Sequence, residues 1–433
     1  MMQTKSSNVF VGNEEIDSIP LKAVSEFGAP LYLYDFGLIK SKYSGLSDIL
    51  PPNFCLHYAL KANSNIAIAN LIASQGSAVE ASSLGEIIAA LKAGFSAESI
   101  VFTGPGKTNV ELTSAIELNV GLIVVESFNE AVKLAKILAD YDKIQKVILR
   151  INPQIRTSKC CDLGTVRPID MNGMGLSKFG IDESQAFNEI IKISELNKIS
   201  FLGIHIFTES NVLDYTQLLA AWQNSLLIAH RLKDLGCNIE IVDFGGGIGV
   251  PYNSVDSEFD IIEFGEALHR LFGDEPFKFI LEMGRYIVCE AGMYVSEILD
   301  IKESQGSRVV IVNGGVHHLY RTPAMQDASK FLRVLGKESS ETMPTTLAGQ
   351  LPTPIDIIVR DAEVAIDLQI GDFIVIKNCG AYGFNHSLAN FVLHPSPAEV
   401  AIFAGTLELI RTRGNYEDFF THQRLLPNGL ASK

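Results

Sequence analysis

The sequence predicts a (β/α)8 barrel followed by an all-β domain. Three observations predict it. Between residues 54 and 282, eight short apolar runs alternate with helix-like patterns. After about residue 290 the helical patterns give way to closely spaced β-rich runs. A chain of 433 residues also exceeds one ordinary core and fits two domains, or a barrel with an addition.

The elements follow in order. Residues 1–35 form an N-terminal segment whose run Leu31–Tyr34 precedes the barrel and contributes a strand to the later sheet. The barrel spans 36–289, with strand-like runs at 54–61, 78–81, 99–103, 121–125, 146–152, 199–206, 239–243 and 277–282. Helical periodicity fills most of the gaps, as in Asn65–Ser74, Leu84–Ala93, Asn109–Leu118, Asn129–Tyr141 and Tyr215–Leu235. Eight strands, each with a following helix, is the count of a barrel. A doubly wound open sheet has the same periodicity, because periodicity does not report closure. Between Asn152 and Phe179 the pattern lapses into a stretch rich in Gly, Thr and Asp, with the Cys160-Cys161 pair. A loop that long after a strand belongs at the barrel's C-terminal mouth and is typically functional or disordered. Residues 290–433 read as a β domain with runs at Gly292–Ile298, Arg308–Asn313, Ile355–Arg360, Phe373–Lys377 and Glu399–Phe403. Residues 334–346 read as an exposed loop, and there are no internal repeats.

Composition excludes several classes. A hydrophobic fraction of 47% with 20% charged residues describes a soluble globular protein. The formal charge of −15, with no basic block, argues against a nucleic-acid partner. The six cysteines form no C-x-x-C pair, so no metal site is expected. The N-terminus lacks the apolar stretch of a signal peptide and no apolar run has the length of a membrane span, which predicts a cytoplasmic protein with no membrane partner.

Barrel enzymes place their chemistry at the C-terminal ends of their strands. Lys61 ends the first run, in His57-Tyr58-Ala59-Leu60-Lys61-Ala62-Asn63. A lysine in such a place more often carries its charge to solvent, but a desolvated amine is what imine chemistry with a carbonyl requires. Arg150 ends the fifth run and His205 the sixth; Gly245-Gly246-Gly247-Ile248-Gly249 follows the seventh; Glu282-Met283-Gly284-Arg285 closes the eighth. Singly, each has a bland reading: a core histidine, a glycine turn, a structural ion pair. Jointly, at predicted strand ends, they make a phosphate cradle beside an amine, a flat ring and a carboxylate. That set suits pyridoxal 5′-phosphate.

These residues resemble the fold type III (alanine-racemase-fold) PLP-dependent decarboxylases, the group of the diaminopimelate, ornithine and arginine decarboxylases. The matching segments are His57–Asn63, Ser83-Leu84-Gly85-Glu86, Ser177-Lys178-Phe179-Gly180, Gly203-Ile204-His205, Gly245-Gly246-Gly247, Glu282-Met283-Gly284-Arg285 and Gly380-Ala381-Tyr382-Gly383. They run over nearly the whole chain. Phe102–Lys107, Gly314–His318, His394–Glu399 and Glu408–Arg411 are further similar to a subgroup from secondary-metabolite and polysaccharide pathways. That subgroup includes the butirosin-pathway decarboxylase of carrier-linked glutamate. The resemblance implies that Lys61 holds the cofactor covalently, His205 stacks on its ring and Glu282 pairs with the pyridine nitrogen. Gly246, Gly247, Gly284 and Arg285 hold the phosphate, with Tyr382, and Arg150 joins the cofactor site. It implies Arg321, Asp356 and Tyr382 as substrate ligands. It also implies a homodimer with sites shared between subunits.

One departure matters. The family's proton-donating cysteine lies four residues before the aspartate matched by Asp356, and here that place is Pro352. Proline has no proton to give, so another acid is needed, with His386 and Cys379 as candidates. The leading reading is decarboxylation of a free or carrier-protein-bound L-amino acid. A racemase would keep the same cofactor residues, and a catalytically silent relative would have lost them.

Overall fold

The computed structural model describes residues 13–154, 169–170, 177–253, 255–321, 329–337 and 341–426. Most of the aperiodic stretch after Asn152, with Cys160 and Cys161, lies outside them. The chain divides into two compact units. One comprises Phe36–Pro251 and Val255–Glu290; the other comprises the chain up to Asp35, a short return at Tyr252, and the chain from Ala291 onward.

The first unit is a closed barrel. Its strands are β1 (Phe54–Ala59), β2 (Ala78–Ala81), β3 (Ile100–Phe102), β4 (Leu122–Val125), β5 (Gln145–Asn152), β6 (Ile199–His205), β7 (Ile241–Asp243) and β8 (Lys278–Met283). All pair in parallel, in the order 4-3-2-1-8-7-6-5, and β5 returns to pair with β4. Closure removes the open-sheet alternative.

Several of the loops that leave the strands end on capping side chains, which set where their helices start. Ser83 accepts from the Glu86 N–H, Ser127 from the Glu130 N–H, Asp260 from the Glu263 N–H, and Thr108 with Glu111 forms a reciprocal capping box. Helices over Ile66–Ala73, Leu84–Lys92, Asn109–Glu117, Phe128–Leu138, Ala186–Ser194, Tyr215–Asp234 and Ile261–Phe272 surround the strands.

The two-residue period of a strand then decides where the chemistry sits. Val101, Leu122, Val124, Ile148 and Ile280 form an apolar cluster, with Leu202 and Ile241 packed on it. Two residues further toward the mouth, on the same strand faces, come Arg150 after Ile148, Asp243 after Ile241 and Glu282 after Ile280. The apolar layer therefore supports a polar one. Outside the strands, the sole tryptophan, Trp222, stacks on Phe244 (5.0 Å between centroids), and Phe244 stacks on Phe279 (5.1 Å). Phe244 immediately precedes the glycine run, so this packing anchors that loop's base.

In the second unit the strand Leu31–Asp35 lies between two later strands, antiparallel to Gly292–Ser304 and parallel to Ala398–Phe403. Ser307–Val312, Thr342–Ala348 and Ile357–Ala365 extend the sheet on one side, and Thr406–Arg411 on the other. The expected loop over 334–346 is corrected in part, because Thr342–Ala348 is a strand. Pro344 and the surrounding threonines disguise it. Pro344 faces Glu363 on one side, but pairing with Ser307–Val312 begins only at Thr345, so the missing N–H costs no ladder bond there. Residues 338–340 of that stretch lie outside the described ones. Among the described residues, no helix is long and apolar enough to cross a membrane.

Candidate active site

Lys61 sits in a short 3-10 turn, Leu60–Ala62, directly after β1. Its Nζ donates to Glu80 Oε2 at 2.9 Å and stands 3.9 Å from Glu282 Oε2. The lysine side chain is 34% exposed while both carboxylates are buried. The amine is therefore held by two buried carboxylates on a side chain that is itself partly exposed. Glu80 is itself fixed: Ser82 Oγ and Thr103 Oγ1 both donate to its Oε1.

Across the mouth, His205, Asp243 and Glu282 end three adjacent strands, with donor atoms all within 4.8 Å of one another. His205 is buried, and among the described residues neither ring nitrogen has a hydrogen-bond partner; its Nε2 lies 3.8 Å from Glu282 Oε2. Burial alone would raise the Glu282 carboxyl. The His205 contact and the Lys61 charge outweigh it, and the group lies below the usual carboxylate range. Burial pushes the His57 imidazole, on β1, down to about 4, so it is neutral at physiological pH.

The glycine run after β7 packs where side chains cannot. Gly247 has φ +132°, and a Cβ there would fall 2.6 Å from the Leu218 side chain. Gly284, after β8, would bring a Cβ to 2.6 Å from that of Ala62. Gly246 lies against the Glu282 carbonyl, and Arg285 opens the helical turn after Gly284. These close approaches require glycine at both loops and leave a backbone without side-chain cover beside Arg285, which is a setting for phosphate. Buried polar atoms on His205 and Glu282 that lack partners, next to that cradle, fit a polar ring carrying a phosphate.

Arg150 lies 3.6 Å from Glu126 Oε1, with its guanidinium 4.2 Å from the centre of the Phe179 ring. Glu126 also accepts from the Gly180 N–H. The Ser177–Gly180 segment is thus tied back to the mouth through Arg150 and Glu126.

The remaining expected residues belong to the second unit. Asp356, expected as a substrate ligand, is 2% exposed, and its two oxygens accept from the Val316 N–H and the Leu351 N–H, both at 2.7 Å. Cβ atoms on Gly315 or Gly349 would strike those oxygens at 2.5 and 2.4 Å. The carboxylate is a clasp between two loops. Arg321 is buried and donates to the Lys377 carbonyl at 2.9 Å and to Cys379 Sγ at 3.4 Å; Thr322–Met325 lie outside the described residues. Tyr382 has φ +52°, a left-handed conformation that a bulky residue seldom adopts without a reason, and its ring meets that of His386 edge-on at 6.1 Å.

The structure thus brings Lys61, His205, Glu282, Gly246, Gly247, Gly284, Arg285 and Arg150 to the mouth of one barrel. Glu80 and Asp243 stand among them and escaped the sequence reading. The signal was available: each is a carboxylate near the end of an apolar strand, as Glu282 is. Glu126, one residue past β4, gave a weaker version of it.

Comparison with known proteins adds the following. The family profile described as "Pyridoxal-dependent decarboxylase, pyridoxal binding domain" matches residues 36–289. The L-glutamyl-[BtrI acyl-carrier protein] decarboxylase of Niallia circulans is 33% identical, covering 94% of this chain and 97% of the relative. The diaminopimelate decarboxylase of Aquifex aeolicus is 30% identical, covering 93% of each. Among solved structures, diaminopimelate decarboxylase from Helicobacter pylori complexed with L-lysine has a TM-score of 0.81 at 29% identity, covering 93% of this chain and 98% of that one.

Proposed function

The chain belongs to the pyridoxal-dependent decarboxylases and is a PLP-dependent amino-acid carboxy-lyase, and we propose that Lys61, His205 and Glu282 are its catalytic residues. In this reading Lys61 Nζ would bond the cofactor, His205 would help hold its ring, and Glu282 would keep its ring nitrogen protonated. Gly246, Gly247, Gly284 and Arg285 take the phosphate, with Tyr382, and Arg150 shapes the same mouth. Bound there, pyridoxal phosphate supplies an electron sink for the bond to the departing carboxylate. The observation that carries the assignment is the Lys61 amine held at the barrel mouth between Glu80 and Glu282, beside an imidazole with no hydrogen-bond partner.

We further propose an L-aminoacyl group carried on a carrier protein as substrate, with a cytoplasmic homodimer as the working form. The full-length likeness to a carrier-linked glutamate decarboxylase supports the first part. The deciding assay compares carbon dioxide release from an L-glutamyl carrier protein, free L-glutamate and meso-diaminopimelate. Release from a free amino acid alone rejects the carrier-linked substrate. Racemisation without release would favour a racemase, and neither outcome would mark a silent relative. Sharing of sites is tested by mixing Lys61→Ala with Tyr382→Ala, each inactive alone. Recovery of about a quarter of wild-type activity is expected from a two-fold dimer, and no recovery rejects sharing.

The proton that replaces the carboxylate needs a source other than residue 352. Cys379 is a poor candidate. Burial raises its thiol, which already donates toward the Ile376 and Lys377 carbonyls. His386 is exposed and next to Tyr382, so His386→Ala is expected to slow amine formation by about a hundredfold, with Cys379→Ala without effect. Equal rates in wild type and His386→Ala would leave water or the substrate as the acid.

A further inference from the structure

We propose that Asp243 is a positioning residue that keeps its proton at neutral pH and donates it to Glu282, holding that carboxylate ionised and aimed. Two acidic side chains end the neighbouring strands β7 and β8, and both are buried, Asp243 completely. Asp243 Oδ2 and Glu282 Oε1 are each enclosed, and among the described residues neither accepts from a donor. Two dry carboxylates side by side cannot both ionise at acceptable cost, and one shared proton resolves the conflict.

The surroundings decide where that proton rests. Glu282 has the Lys61 ammonium at 3.9 Å and the His205 imidazole at 3.8 Å from its Oε2. Asp243 has only the neutral Gly245 N–H, which donates to Oδ1 at 2.8 Å. The charge therefore settles on Glu282 and the proton on Asp243. Burial, and then the adjacent Glu282 charge, push the Asp243 carboxyl well above its ordinary range, in agreement with the geometry. The titratable groups facing this pair are Cys55, His57 and Lys61 from β1 and its turn, Glu80 from β2 and His205 from β6.

The arrangement has a consequence for the glycine loop. Asp243 accepts from the Gly245 N–H while the Glu282 N–H donates to the Gly245 carbonyl at 2.8 Å. A single side chain thus couples the direction of the Glu282 carboxylate to the loop that opens the phosphate cradle. Asparagine would reproduce both contacts, with its amide N–H on Glu282 and its carbonyl on Gly245. An ionised aspartate, or one of two carboxylates gripping a divalent cation, could not be replaced so.

The catalytic consequence rests on the proposed role of Glu282; the protonation itself does not. Infrared difference spectra of the holoenzyme at pH 7 should contain a protonated-carboxyl band that shifts in D2O and is lost in Asp243→Asn. In turnover, Asp243→Ala should lower kcat by about 10–100-fold with KM little changed. Its acid limb should move to higher pH, and Asp243→Asn should recover most of the loss. The proposal is overturned if the band survives in Asp243→Asn, or if Asn is as damaging as Ala. It is equally overturned if the wild type holds one divalent ion per site that Asp243→Asn releases. Should the alanine variant fail to fold, the infrared comparison with Asn still decides. If the band behaves as expected while Glu282→Gln turns over normally, the role given to Glu282 fails and the protonation of Asp243 stands.

Discussion

Lys61→Ala is expected to abolish covalent attachment of the cofactor and to lower turnover by about 10⁴-fold or more, equivalent to ~5 kcal/mol in the barrier. The position allows no substitute. Lys107 is a buried lysine of the barrel, but its Nζ donates to the Gly104 and Val124 carbonyls and to Glu130 Oε1 at 2.6–2.7 Å, so it is fully engaged. Borohydride treatment of wild type should fix the label on the peptide containing Lys61 and nowhere else. Lys61→Arg separates two roles of the amine. It keeps a positive charge between Glu80 and Glu282, so its melting temperature should stay near that of wild type, but it has no primary amine to bond an aldehyde. Alanine leaves both carboxylates without their cation and should lower the melting temperature as well. Label on another lysine, or turnover surviving in either variant, would remove the basis of the proposed mechanism.

Much of the site was legible because strand chemistry and strand position coincide in a barrel. Lys61, His205, Glu282 and the glycine run each interrupt an apolar pattern at a strand end, and the eight runs match the eight strands closely. Closure was not legible, since it depends on β1 pairing with β8, a long-range pairing that no local period encodes. The clasp at Asp356 was not legible either, because the Val316 and Leu351 N–H groups reach its oxygens only once Gly315 and Gly349 are folded against them. Thr342–Ala348 was hidden by a proline that pairs with Glu363 on one side and precedes the pairing with Ser307–Val312 on the other. Glu80 was missed because one acidic residue in a four-residue strand is a weak signal. Its importance appears only when Lys61 is seen 2.9 Å away.

Glu282→Gln is expected to fold, to bind the cofactor nearly as well as wild type, and to lose turnover by about 10²–10³-fold. The substitution keeps shape and removes charge. Glu282 lies on β8 two residues beyond Ile280 of the apolar cluster, so its backbone and direction are set by packing that the amide leaves intact. What glutamine cannot do is stabilise a proton on a ring nitrogen placed against it. A neutral ring draws electrons from the breaking bond less well, and the loss should therefore fall on kcat rather than KM. The phosphate contacts assigned to Gly246, Gly247, Gly284 and Arg285 do not involve this carboxylate, which is why cofactor affinity should change little. The measurement is a titration of cofactor into both proteins alongside steady-state kinetics at saturating cofactor. Unchanged kcat would show that Glu282 does not face the ring nitrogen. A collapse of affinity with normal kcat in the loaded fraction would make it a binding residue instead. Lys61 offers the contrast: its loss should remove attachment and turnover together, whereas loss of the Glu282 charge should separate them.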